Sequence, residues 1–204
     1  MSSLSLIQPK YRVNAVAKAD SSCEFMVGRT SAIVSLHGPV EARTQQSSSK
    51  AMIIDVSVRK PSSVPTIAER SIETIISDSA ISVIDMARFP FTQLQISVEV
   101  ISDDGSLVAS ILNAFVIACK DLGIQTNRPT LAVPLGWIPT GLVTFPNKAH
   151  EAVASATCTN LVCLTTGRSV YLSQAGGSIT ASELGDMIVE SQRSVTELFD
   201  VLRL

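Results

Sequence analysis

The sequence predicts a single α/β domain, α+β in a stricter classification, from three observations. Gln95–Gly123 changes from strand alternation to helical period across a polar turn. Strand-patterned runs are followed by helical ones, and a β-rich stretch comes late in the chain. Neither a solenoid-length repeat nor a linker divides the 204 residues, and 46% hydrophobic against 17% charged residues is enough to fill one core.

In Gln95–Gly123, Ile96, Val98 and Val100 share one strand face, with Gln95, Ser97 and Glu99 on the other. Ser102-Asp103-Asp104-Gly105 is a turn in which Gly supplies the unusual φ and Asp side chains bond nearby amides. Val108, Ile111, Leu112, Phe115, Ile117, Ala118 and Leu122 then form a broad helical face, stopped by Gly123. A strand–turn–helix with a polar turn is a common ligand position in α/β proteins.

The rest follows in chain order. Residues 1–19 read as an extended, loosely packed arm. Cys23–Val27 and Ser31–His37 read as strands joined at Gly28-Arg29-Thr30. Glu41–Lys50 is a polar loop. In Met52–Lys60, Ile54, Val56 and Val58 alternate with Asp55, Ser57 and Arg59, so a half-buried strand is expected, ended by Pro61. Pro65–Met86 carries Ile67, Ser71, Ile72, Ile75, Ile76, Ile81 and Ile84 at helical spacing, with Pro65 and Glu69 suited to a helix start. Thr130–Ile138 reads as a strand in which Pro134 and Gly136 imply a bulge or an edge position. Leu142–Thr144 returns after a turn at Pro139-Thr140-Gly141. Thr157–Thr166 and Ser169–Ser173 make a hairpin across Gly167-Arg168. The last helix starts near Thr180, with Glu183 completing a capping box, and presents Leu184, Met187, Ile188, Ser191, Val195, Leu198 and Leu202 along one face.

Composition narrows the function classes. A net charge of −2 supplies no global attraction to nucleic acid, which argues against an autonomous high-affinity binder but not against a local basic stripe. Cys23, Cys119, Cys158 and Cys163 show no CxxC pairing and read as reduced, structural thiols. With His37 and His150 the only histidines, no zinc site and no His-based triad is expected, and no metal or other cofactor. The N-terminus lacks an apolar signal-like stretch and no run is long enough to span a bilayer, so the chain reads as a soluble intracellular protein.

The run DDGSLVASILNAFVIACKDLGI, residues 103–124, resembles the signature segment of the ribonuclease PH-like proteins, and in particular the subunits of that type in the ring of the eukaryotic RNA exosome. Weaker matches extend the resemblance over about residues 18–164. They include Gly28-Arg29-Thr30 with the strand after it, and Ala68-Glu69-Arg70-Ser71. The resemblance implies a ribonuclease PH-like fold over residues 1–204: mixed sheets with packed helices, built from two related βα halves.

It also implies a comparison with the active members, position by position. Their turn carries Gly-Gly-Ser/Thr-Arg-Thr-Ala, which corresponds here to Asp104, Gly105, Ser106, Leu107, Val108 and Ala109. Ser106 keeps a hydroxyl donor. Leu107 replaces the phosphate-binding arginine, and Asp104 adds an anion. Where active members place two adjacent arginines on RNA phosphates, this chain has Glu69-Arg70. The aspartate pair of active members falls in register with Glu151 and Thr157, which leaves one carboxylate. The Arg-Asp-Gly-Arg type of element near the N-terminus is missing.

These losses imply a non-catalytic structural subunit of the exosome ring. The other ribonuclease PH-like subunits, cap subunits with S1 or KH domains and an associated hydrolytic nuclease are the expected partners, with RNA passing through the ring channel. Arg70, Ser106, Arg29 and Arg43 are the candidate channel residues, although lone surface arginines are ordinarily solvated. Nucleus, nucleolus and cytoplasm are the expected locations. Two alternatives stay open. The first is a weak metal-dependent or phosphorolytic nuclease, monomeric or homodimeric, using Asp103, Asp104 or Glu151, although Asp103-Asp104 also suits plain turn chemistry. The second is a generic α/β binding module.

Overall fold

The computed structural model describes residues 9–42, 51–61, 67–139 and 141–202. The first sheet contains β1 (Lys10–Val13), β2 (Ser21–Val27), β3 (Thr30–Glu41), β4 (Ile53–Arg59) and β5 (Thr92–Ser102), in the order β1-β2-β3-β5-β4. Only the β4–β5 pair is parallel, because helix α1 (Ile67–Val83) carries the chain back between the two. Alternation sets the buried face: Ala32, Val34 and Leu36 of β3 and Leu94, Ile96, Val98 and Val100 of β5 are core, while Gln95 and Glu99 are exposed. Part of the expected N-terminal arm, Lys10–Val13, pairs with β2, and residues 1–8 lie outside the described residues.

The second sheet is antiparallel, in the order β7-β6-β8-β9, from β6 (Thr130–Ile138), β7 (Gly141–Thr144), β8 (Ala156–Cys163) and β9 (Ser169–Ala175). Helix α2 (Leu107–Leu122) packs on β2 and β3 and also on β6, so it touches both sheets. A single apolar stripe was expected for it. Burial instead runs almost all round and takes in Ala109, Ser110, Asn113 and Cys119, while Val108 and Leu122 are only partly covered. A helix between two sheets has no solvent side to spare. Gly123 stops it in the left-handed conformation, φ 76°, and the Ile124 amide donates to Cys119 O. In α1, Ile72 and Ile76 are core, but Ile67 and Ile81 are exposed, because only the face toward β4 and β9 is covered.

β6 departs from expectation. Despite Pro134 and Gly136 it is neither bulged nor at an edge but lies between β7 and β8. The β6–β7 register covers Leu135–Ile138, and Phe145, just past β7, donates its amide to Pro134 O at 3.0 Å. N and C=O of one strand residue point the same way, so the missing proline N–H falls where the β7 ladder ends. Beyond that point Asn113 of α2 takes over, accepting from Ala132 N at 2.7 Å and donating to Ala132 O at 2.9 Å. Gly136 leaves room for the Pro146 ring, whose Cβ would lie 3.2 Å from an added Cβ.

Helix α4 (Ala181–Leu202) packs on β6 and β8. Its capping box forms as expected: Thr180 N and Oγ1 donate to Glu183 Oε2 at 2.8 Å each, and Glu183 N donates to Thr180 Oγ1 at 3.4 Å. The amide and hydroxyl of Thr180 hold the Glu183 carboxyl below its ordinary range. A depressed folded-state pKa contributes stability above the ordinary carboxyl value, and this contribution is lost as pH falls through the depressed one. Wild type is therefore expected to be more stable than Glu183→Gln at neutral pH, with the difference shrinking as pH falls below the ordinary carboxyl range in urea melts. The four cysteines are buried and unbridged, and burial pushes the Cys23 thiol up to about 12 and that of Cys158 up to about 11.

Candidate functional site

The turn after β5 is held by one bond of its own, by Thr30 at the start of β3 and by the segment that leads into the next helix. Asp103 Oδ1 accepts from Gly105 N at 3.3 Å. Thr30, buried at the start of β3, accepts from Asp104 N at 2.9 Å and donates to Gly105 O at 2.7 Å. Gly105 has φ 98°, and the backbone of Pro146–Lys148 lies against its Cα. The next amide, Lys148 N, donates to Asp104 O at 2.7 Å. There the chain enters the short helix α3 (Lys148–Val153), N-capped by Asn147 Oδ1 accepting from His150 N at 2.8 Å.

This docking brings Glu151 to the N-terminus of α2. Its Oε1 accepts from Ser106 N at 2.8 Å. Ser106 itself has φ 55° and is only 6% exposed. Its hydroxyl does not cap α2 but donates to Pro146 O at 2.7 Å, and its carbonyl accepts from Ser110 N and Oγ. A carboxylate at a helix N-terminus is favourable, because the first amides have no intrahelical partner and carry partial positive charge. Both donors that Ser106 could offer to an external anion are thus engaged within the chain.

Beside them is a cavity of about 200 Å³ lined by Asp103, Ser106, Leu107, Glu151, Thr157 and Thr159, among others. Glu151 and Thr157 both line this cavity. Leu107, buried, places an isobutyl group on the wall where a guanidinium would supply bidentate donors. Among the described residues no group of three His, Cys, Asp or Glu side chains comes together.

Arg29 and Arg70 are not among the residues that line this cavity. Arg29 is exposed on the β2–β3 turn, next to Thr30. Arg70 is exposed in the first turn of α1, and Arg43 lies outside the described residues. Glu69, read as an acidic neighbour that weakens phosphate contact, is buried, and its Oε1 accepts from Lys60 N at 3.1 Å. That bond holds the start of α1 at the C-terminal end of β4. β4 and β5 are parallel, and Ser31 pairs with Ser102, so Arg29, Arg70 and the Asp103–Ser106 turn occupy one end of the sheet. The structure therefore unites Ser106, Asp103 and Glu151 in one cavity, with Arg29 and Arg70 outside its lining.

Sequence reasoning missed Thr30 and helix α3. Asn147 after Pro146 is an N-cap signal that could have revealed α3. Nothing local marks Thr30, whose partners lie 74 and 75 residues away. Thr30→Val keeps the shape and removes both bonds. It is expected to destabilise the chain by about 1–3 kcal/mol in urea unfolding, because the buried bond to Gly105 O is lost, while the part-buried Asp104 N can turn to water.

Residues 9–125 match the model of the 3′ exoribonuclease family (RNase PH), domain 1. The chain is 25% identical over 127 residues to the exosome complex component rrp46 of Schizosaccharomyces pombe, a match covering 62% of this chain and 56% of that protein. It is 27% identical over 205 residues to the exosome complex component Rrp41 of Archaeoglobus fulgidus, covering 95% and 80%. Among solved structures, rice (Oryza sativa) Rrp46 superposes with a TM-score of 0.88 at 19% identity, covering 96% of this chain and 92% of that one. A chain of the Archaeoglobus fulgidus exosome with RNA bound to the active site superposes at 0.79 and 14% identity, covering 95% and 88%.

Proposed function

The chain belongs to the 3′ exoribonuclease (RNase PH) family and has the ribonuclease PH-like fold in a single domain, and from this we propose that it is a structural, non-catalytic subunit of the RNA exosome ring. In that role it supports 3′-to-5′ RNA processing and degradation by supplying ring interfaces and part of the channel wall. At Gly105-Ser106-Leu107 it resembles exosome component five. The partners are other ribonuclease PH-like subunits, S1/KH cap subunits and an associated hydrolytic nuclease, in nucleus, nucleolus and cytoplasm. Arg70 and Arg29, at one sheet end, are the proposed RNA contacts, together with Arg43. Ser106 could join them only if its two internal bonds opened.

The observation that carries the reading is the fate of Ser106. Phosphorolysis needs inorganic phosphate held by amides, a hydroxyl and a cation. Here the amide serves Glu151, the hydroxyl serves Pro146 O, and residue 107 is leucine. A tagged pull-down with intact-complex mass, followed by a phosphate-dependent RNA assay on the isolated chain, tests it. Recovery in a ring with related subunits and no release of nucleoside diphosphates is expected. A lone monomer or homodimer that degrades RNA overturns it. Leu107→Arg alone is expected to leave phosphorolysis at background, because Glu151 still occupies the Ser106 amide.

A second reading, a weak nuclease, draws on one observation: Asp103 and Glu151 line the same cavity. Two carboxylates sharing a site can hold a divalent cation or a proton. RNA cleavage that disappears in Asp103→Asn with the fold retained is the result that favours it.

A further inference from the structure

β4 is an edge strand, and its outward backbone is only partly covered. Val58 N donates to Glu73 Oε1 at 3.0 Å, and Lys60 N to Glu69 Oε1 at 3.1 Å, so the even-numbered amides point away from β5. Glu69 and Glu73 lie four apart on one face of α1 and act as surrogate rungs for the end of the strand. Upstream, Met52 N donates to Met86 O. Between these covered positions, the amides of Ile54 and Val56 have the same outward direction and no partner among the described residues. Val56 lines a groove of about 270 Å³ between β4 and α1, together with Glu73, Thr74, Ser77 and Asp78.

Edges left open in this way are templates for another strand, and most proteins cover or charge them. We propose that the Ile54–Val56 edge accepts a short extended segment of a partner chain by β-strand addition, and that this segment carries lysine or arginine on the side facing α1. Main-chain bonds to Ile54 and Val56 would supply the affinity, and Glu73 and Asp78 the preference for a basic sequence. The surface lies on the β4–α1 edge, outside the cavity at Ser106, so it stands whether or not the chain binds phosphate or RNA.

Amide hydrogen exchange on the full chain tests this, with two end-blocked octapeptides as probes, one alternating valine and lysine, the other valine and glutamate. In the free chain Ile54 and Val56 should exchange at least about tenfold faster than Val58. The lysine peptide should slow both by at least about tenfold, the glutamate peptide should not, and Asp78→Lys should weaken the lysine peptide's effect. Protected Ile54 and Val56 in the free chain, equal protection by the two peptides, no protection at millimolar lysine peptide, or indifference to Asp78→Lys each overturn the proposal.

Discussion

Gly105→Ala is expected to cost the protein about 3–5 kcal/mol, a large share of the stability of an ordinary domain. Two causes add. The residue sits at φ 98°, which L side chains rarely adopt. An added Cβ would also lie 2.6 Å from Pro146 O and Asn147 C and 2.7 Å from Lys148 N. These are backbone atoms at the entry to α3, so the neighbour cannot yield by turning a rotamer. Relief requires α3 to move away, which pulls Glu151 from Ser106 N and Lys148 N from Asp104 O. Urea unfolding by far-UV circular dichroism reads the loss. A change below about 1 kcal/mol would show that α3 docks more loosely than the structure has it.

Asn113 provides the second large effect. It is fully buried in α2, and its side-chain amide satisfies both backbone groups of Ala132 beyond the end of β7. Asn113→Leu keeps the approximate size but leaves a buried N–H and a buried C=O without partners. At about 1–3 kcal/mol for each orphaned group, a loss of about 2–6 kcal/mol is expected. Asn113→Asp preserves the acceptor for Ala132 N and sets a carboxylate oxygen against Ala132 O, so it should be no better than leucine. The urea midpoint should drop with the slope unchanged. If Asn113→Leu is as stable as wild type, water or a shifted strand must be supplying those bonds.

Both effects depend on contacts that local pattern does not carry. Period is a local property, which is why the strand faces of β4 and β5, the helix at Leu107–Leu122 and the Thr180–Glu183 capping box were legible. Edge and centre are properties of the whole sheet. Pro134 was therefore read as marking an edge or bulge, although a helix side chain and a residue beyond β7 let a proline sit inside the sheet. Glu69 was read as a helix-start acid standing where active members have an arginine, and its burial under Lys60 N depends on how α1 docks beside β4.

The candidate site divides along the same line. Leu107 in place of a cation, the surviving Ser106, and Glu151 as the lone carboxylate in register followed from the resemblance to the ribonuclease PH-like proteins, which compares residue types position by position and needs no coordinates. That Glu151 reaches the Ser106 amide, across 45 residues, was decided only by the tertiary structure. The bond exists because Gly105 lets α3 pack against the turn, and because a helix N-terminus stabilises whichever anion is held nearest to it.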